Sequence, residues 1–544
     1  MREHLYPGEV NAMEIRLVKG RRLSFFGAIV LFSMSTCSTA QITTAQVDNA
    51  RTGAYVRETT LTPRNVNPQQ FGKLFRLKVD GDVYAQPLFL PGVEIPGKGK
   101  HDVLYIATEH DSVYAFDAYG NPSTPLWHVS FLTLGTTTIP ERDVQCFFIS
   151  PEVGITSTPV IDPKTGTLFV LARTKDQHLL SANEYHQQLH ALAITTGVEK
   201  FGGPVEIHAA VRGKGDGSNA GTVAFEPLRE NPRAALLLSK GTVYLSWASS
   251  CDVGPYHGWV IAYDARTLKQ KAVFNDSPDA DDGGIWASDT GIAADQDGNI
   301  YAATGNGRFD AAKGGRDYGD TLLKLRLDSS GLAVGDYFTP FNEQHLNITD
   351  SDLGSGGPVL LPDQPGPHSH LAIVGGKAPT LYVVDRDHMG RFDPDSNHHA
   401  VQTIPTNGGI FGAIAYWNQN VYLLSDADVL RDYEVNNGKL LYKTSTTFSL
   451  RDHAATPAVS ANGDKDGIVW IVSSKGWNSP DRTAVLHAVD ASNVAHELYN
   501  SEQNHSRDSA GLALRFNVPT IASGHVYLGA KHEVDVYGLL PPAR

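Results

Sequence analysis

The feature that most restricts how this chain can fold is a short pattern that keeps returning along it. A β-branched run around a tyrosine or other aromatic leads through a turn to a second run ending in Ala-x-Asp or a close variant. The first copy pairs Val103-Leu104-Tyr105-Ile106 with Val113-Tyr114-Ala115-Phe116-Asp117-Ala118. Later copies include Val243-Tyr244-Leu245 with Trp259-Val260-Ile261-Ala262-Tyr263-Asp264, and Ile468-Val469-Trp470 with Leu486-His487-Ala488-Val489-Asp490. Several copies open on a proline-containing strand, as at Thr158-Pro159-Val160, Gly357-Pro358-Val359 and Thr456-Pro457-Ala458. Turn signals such as Asp297-Gly298 and Asn437-Gly438 separate the runs, which is the signature of strands joined by hairpins. The spacing of roughly 40 to 80 residues is that of propeller blades carrying insertions.

The pattern predicts an all-β fold: an eight-bladed β-propeller of four-stranded antiparallel blades, in a single domain over residues 71–544. The last copy, with Val526-Tyr527-Leu528 and Val534-Asp535-Val536-Tyr537, is one strand short, and Phe71 to Lys78 is a strand-like segment ahead of the first. Pairing the two would close the ring by an N-terminal strand and remove exposed sheet edges. Residues 41–70 are left as an N-terminal extension. The 52 Gly and 30 Pro suit a fold made of many tight turns. A net charge of −14 excludes nucleic acid as a partner, because phosphate binding needs a basic face.

Residues 1–40 have the order of a secretory signal peptide, with Met13 as an alternative start. Arg16, Lys19, Arg21 and Arg22 precede an apolar run from Leu23 to Phe32, and small residues end at Ser38-Thr39-Ala40. The run is shorter than the roughly 20 residues a membrane span needs, so the expected location is secreted or periplasmic and not membrane-spanning. Cys146 and Cys251 would remain after cleavage, free to pair if their Cα atoms come within about 7 Å. Neither lies in a CxxC or CxxCH arrangement, which argues against a zinc ribbon and an attached c-type haem. HExxH, GxSxG and GxxxxGK[ST] patterns are absent from the sequence.

Over residues 70 to 540 the repeat resembles the quinoprotein alcohol dehydrogenase superfamily, whose propellers carry pyrroloquinoline quinone. Local motifs add to the likeness and fall in collinear order. Gly283-Gly284-Ile285-Trp286 is similar to the segment whose tryptophan stacks on the quinone, and Tyr301-Ala302-Ala303-Thr304-Gly305-Asn306 to the strand whose asparagine ligates calcium. Ser250-Cys251-Asp252 is similar to the segment with a calcium-ligating glutamate, and Asp350-Ser351-Asp352 to the one with the catalytic base. Gly376-Lys377 resembles the place of a cationic quinone contact.

The resemblance implies an exported oxidoreductase that uses pyrroloquinoline quinone and Ca2+ to oxidise an alcohol or sugar hydroxyl and hands electrons to a separate acceptor. Asp350 and Asp352 would be catalytic, Trp286, Lys377, Cys146 and Phe147 would contact the cofactor, and Asp252 and Asn306 would hold the metal. Phe148 shares the place of Phe147. Two departures stand out: Asp252 is one methylene shorter than glutamate, and Cys146-Phe147 stands where many relatives have adjacent cysteines. Taken singly, Trp286 also suits interblade packing and Asn306 a turn. The alternative is a non-enzymatic scaffold of the cell envelope that binds protein or carbohydrate.

Overall fold

The computed structural model describes residues 41–177, 184–450 and 455–542. The expected signal peptide, 1–40, lies outside the described residues. Each copy of the repeat forms one antiparallel sheet, and eight such sheets ring a central channel. In blade 1 the strands are Leu88–Ile95, Gly99–Thr108, Ser112–Asp117 and Trp127–Ser130, from the channel outward. The inner strands of blades 2 to 8 are Val160–Asp162, Leu237–Ser239, Ala293–Ala294, Val359–Leu360, Ala415–Trp417, Ala458–Asn462 and Thr520–Ala522. Blade 8 takes its outermost strand from the other end of the chain, as the sequence led us to expect. Phe71–Lys78 pairs antiparallel with Glu533–Leu539, from Phe71 opposite Leu539 to Lys78 opposite Glu533.

The strands are buried on both faces because neighbouring blades stack, so the apolar core is divided into interblade layers. Between blades 2 and 3, Phe225 packs edge-on against Trp247 and Trp259 at 5.0 and 6.0 Å. Such buried indoles find partners for their N–H groups. Trp247 donates to Gln187 Oε1 at 2.8 Å, Trp259 to Glu230 Oε1 at 2.9 Å and Trp470 to Ser460 Oγ at 2.8 Å.

Ahead of the closing strand, residues 42–58 thread the channel and bond to every blade. Ile42 exchanges backbone bonds with Phe89 of blade 1, and Thr43 O accepts from Ile161 N of blade 2. Asn49 Nδ2 donates to Leu238 O of blade 3, while Asn49 O accepts from Ala294 N of blade 4. Ala50, Thr52 and Gly53 carbonyls accept from Leu360, Tyr416 and Val459 of blades 5, 6 and 7. Ala54–Tyr55 then adds a short parallel strand to blade 7, and Glu58 Oε2 accepts from Gly524 N of blade 8. Arg51 lies buried at the centre, donating to Ile292 O, Leu236 O, Thr44 Oγ1 and Ala45 O. The extension is thus a plug most of whose polar groups are bonded to the blades, with Gln46 Oε1 and Tyr55 Oη left buried without a partner. The described residues gather into one compact unit. No helix among the described residues is long and apolar enough to cross a membrane.

Candidate functional site

The loops that lead into the inner strands form a cavity of about 290 Å3 at the end of the channel away from the plug. Cys146, Asp252, Trp286, Asp350, Asp352 and Lys377 all line it, so the structure brings together six of the eight residues singled out in the sequence. Glycines make the convergence sterically feasible. A Cβ on Gly305 would lie 2.4 Å from Asp352 Oδ1 and 2.8 Å from Trp286 Nε1, and one on Gly376 would lie 2.0 Å from Asp352 O. Backbone bonds from Gly305 N to Gly284 O and from Lys377 N to Asp352 O fasten the same segments side by side.

Cys146 and Cys251 form a disulfide with their Cα atoms 5.6 Å apart, so a covalent bridge between distant loops makes part of the cavity wall. Trp286 makes another part. Its ring meets Tyr256 edge-on at 6.4 Å, and its Nε1 is buried with no hydrogen-bond partner, unlike the three interblade indoles above.

Lys377 Nζ lies 2.5 Å from Asp350 Oδ1 and 2.7 Å from Asp352 Oδ2. Burial alone would lower the proton affinity of this lysine, but Asp352 and Asp350 outweigh it and hold Lys377 above its usual range. Asp352 is buried, and its Oδ1 accepts from Asn306 N at 2.7 Å. Desolvation raises its proton affinity in spite of Lys377. Asp350 is the exposed member of the trio, with 60% of its side chain open to solvent.

Asp252 sits at the cavity edge in the left-handed region, with φ 54, accepts from Tyr256 Oη at 2.9 Å, and is pushed up by desolvation. Asp282, behind Tyr256, is pushed up to about 6 by burial and by Asp281 and Asp252. Asn306 lies just outside the cavity lining, its Oδ1 buried without a partner. Asp252 and Asn306 together offer oxygen donors of the hard type calcium takes.

Phe147 is not in the wall: it is 63% exposed, and the next residue, Phe148, lines the cavity instead. Gln145 adopts the left-handed conformation where the preceding turn of helix ends and Cys146 is tied to Cys251, which sets the direction in which the chain leaves.

Two lining residues carry no motif in the sequence. Arg233 and Arg515 stand shortly ahead of the inner strands of blades 3 and 8, in the same relative place as Ser288, Ser355 and Phe411 of other blades. A charged residue in the stretch that leads into an inner strand is the signal that would have found them.

No protein-family model and no curated protein sequence matches this chain. Solved structures do. The chain is similar to quinohemoprotein alcohol dehydrogenase from Comamonas testosteroni, with 14% identity over 93% of this chain and 81% of that one, and a TM-score of 0.60. Quinohemoprotein alcohol dehydrogenase ADHIIG from Pseudomonas putida HK5 matches at 13% identity over the same shares, with a TM-score of 0.61. A europium-containing methanol dehydrogenase matches at 13% identity over 92% of this chain and 98% of that one, with a TM-score of 0.58. At such identities the likeness is one of fold, and the fold is the eight-bladed propeller.

Proposed function

We propose that this protein is a quinoprotein-like oxidoreductase that binds pyrroloquinoline quinone in the cavity beside Trp286 and the Cys146–Cys251 disulfide and oxidises an alcohol or sugar hydroxyl. The observation that carries the proposal is Trp286. It is a buried indole with an unused N–H, exposed to a cavity that also holds a disulfide wall and the Lys377–Asp350–Asp352 cluster. An indole face and a flat disulfide wall suit a planar ring system, and Lys377 suits an electron-rich oxygen on it.

When bound, the quinone would supply hydride acceptance and a calcium ion would supply Lewis acidity. Asp252 and Asn306 are the residues that would hold the metal, since the Asn306 amide oxygen is buried without a partner and Asp252 offers a carboxylate. Asp352 is the better placed of the two aspartates to take the substrate hydroxyl proton. Burial raises its proton affinity, while Lys377 and the Asn306 N–H act in the opposite direction and favour its charged form. Asp350 anchors Lys377 from the solvent side. Electrons would pass to a separate carrier. A structural disulfide is favoured in an oxidising compartment, which supports export to the periplasm or beyond.

A binding propeller without turnover is the second candidate. It is favoured by Lys377, which already pairs with both carboxylates that a base would have to come from. Adding pyrroloquinoline quinone and Ca2+ to the purified protein, then following dye reduction with a panel of alcohols and sugars, separates the two. Turnover that Asp352→Asn abolishes while quinone binding persists supports the oxidoreductase. Quinone binding with no turnover on any substrate favours the binding propeller.

A further inference from the structure

Arg233 and Arg515 come from opposite parts of the chain yet meet across one ring. The Arg233 guanidinium lies 4.0 Å from the Phe516 ring centroid and that of Arg515 4.9 Å from it. Arg233 also lies 6.0 Å from Trp286, and Arg515 stacks on Phe148 and Trp477 at 4.5 and 4.6 Å. These are cation–π contacts, which orient a guanidinium without using its N–H donors. Among the described residues neither side chain donates a hydrogen bond or forms an ion pair, and Arg515 Nε is buried without a partner although Arg515 is only 6% exposed.

The third cation of the cavity, Lys377, is already paired with Asp350 and Asp352. Asp289 acts electrostatically on both arginines but makes no ion pair with either; burial pushes it up to about 8, so near neutral pH it is largely protonated. Burial and the neighbouring Arg233 push Arg515 down to about 10, which leaves both guanidiniums charged near neutral pH. Two mutually repelling, partly desolvated cations with free planar donors therefore face a cavity whose carboxylates, Asp252 among them, act on them only from beyond ion-pair distance. The missing partner is an anion brought by a ligand. A carboxylate matches the fork geometry of a guanidinium and sheds its water more readily than a doubly charged group would.

We propose that Arg233 and Arg515 form a binding site for the carboxylate of an organic acid that enters the cavity. The carboxylate can belong to the substrate, making the preferred substrate an acid such as a uronic acid instead of a neutral sugar, or to the quinone itself. Only the assignment to a substrate rests on the oxidoreductase proposal; the carboxylate site does not.

The test uses the purified full chain and calorimetric titration with galacturonate, galactose and pyrroloquinoline quinone in separate arms. The expected result is that at least one of the two acids binds ten-fold or more tightly than galactose. Arg233→Gln and Arg515→Gln should each weaken that acid ten-fold or more. Arg515→Lys, which keeps the charge and much of the packing but not the fork, should weaken it less and serves if the glutamine variants do not fold. Loss confined to galacturonate assigns the site to substrate, and loss confined to the quinone assigns it to cofactor. Galacturonate binding in a protein that ignores the quinone keeps the carboxylate site and removes the quinone. Acids binding no better than galactose, or acid affinities unchanged in all three variants, would overturn the proposal.

Discussion

The two ends of the channel use their polar groups differently. At one end, residues 42–58 spend their backbone and side-chain polar groups on the inner strands of all eight blades, and the buried Arg51 has four acceptors within 3.3 Å. At the other, the loops leading into the same strands leave the Trp286 indole nitrogen, the Asn306 amide oxygen and the Arg515 Nε buried and unpaired. Unsatisfied buried polar groups cost free energy, so a fold tolerates them where something else repays that cost. The plug end has unpaired atoms too, Gln46 Oε1 and Tyr55 Oη, so the contrast is one of degree: the plug ties all eight blades together, whereas the cavity end gathers its unpaired donors and acceptors around one open space, where the proposed ligand would meet them.

Breaking the plug end should have the largest effect on stability and the smallest on binding. Arg51→Ala would strand carbonyls of Leu236, Ile292 and Ala45, and we expect a loss of about 3–5 kcal/mol, as when one partner of a buried charged network is removed. Urea unfolding measures it, and quinone affinity of the remaining folded protein should be unchanged. A smaller loss is expected for Cys146→Ser. The disulfide spans a sequence separation of 105 residues, and removing such a cross-link costs about 2–4 kcal/mol. Unlike Arg51→Ala, this variant should also weaken quinone binding, because it takes away a cavity wall.

Asp289 lies between the two ends and sharpens the comparison through pH. Burial raises its pKa from 3.8 to about 8, with Thr456 Oγ1 donating to it at 3.0 Å. The folded state therefore holds this proton more tightly than the unfolded state does. Stability from this group is fully present below about pH 4 and is lost as pH rises through 8. Asp289→Asn keeps the acceptor for Thr456 and tolerates the φ of 63 found there. It should raise stability by about 1–3 kcal/mol at pH 8 and by almost nothing at pH 4, which thermal melts at the two pH values would show.

The sequence carried the ring plainly, because each blade repeats one period-two pattern that buries both faces. Even the closing pair of Phe71–Lys78 with Glu533–Leu539 followed from a missing strand. The threading of residues 42–58 did not, since its contacts are backbone bonds that any side chain allows; only Arg51 and Asn49 mark it chemically. In the cavity, Trp286, Asp252, Lys377 and the two aspartates were visible because each sits in a local motif. Phe147 and Phe148 are adjacent, and which of them faces inward depends on how the chain leaves Cys146. Arg233 and Arg515 are single residues 282 positions apart by number (515 − 233), brought together only by closure of the ring.

The most direct test of the central claim is an equilibrium titration of pyrroloquinoline quinone, with Ca2+ present, followed by quenching of tryptophan fluorescence in the wild-type protein and in Trp286→Ala. Saturable binding of one quinone per chain is expected for the wild type, and at least ten-fold weaker binding for the variant. Absence of saturable binding, or equal affinity in the two proteins, would contradict that claim.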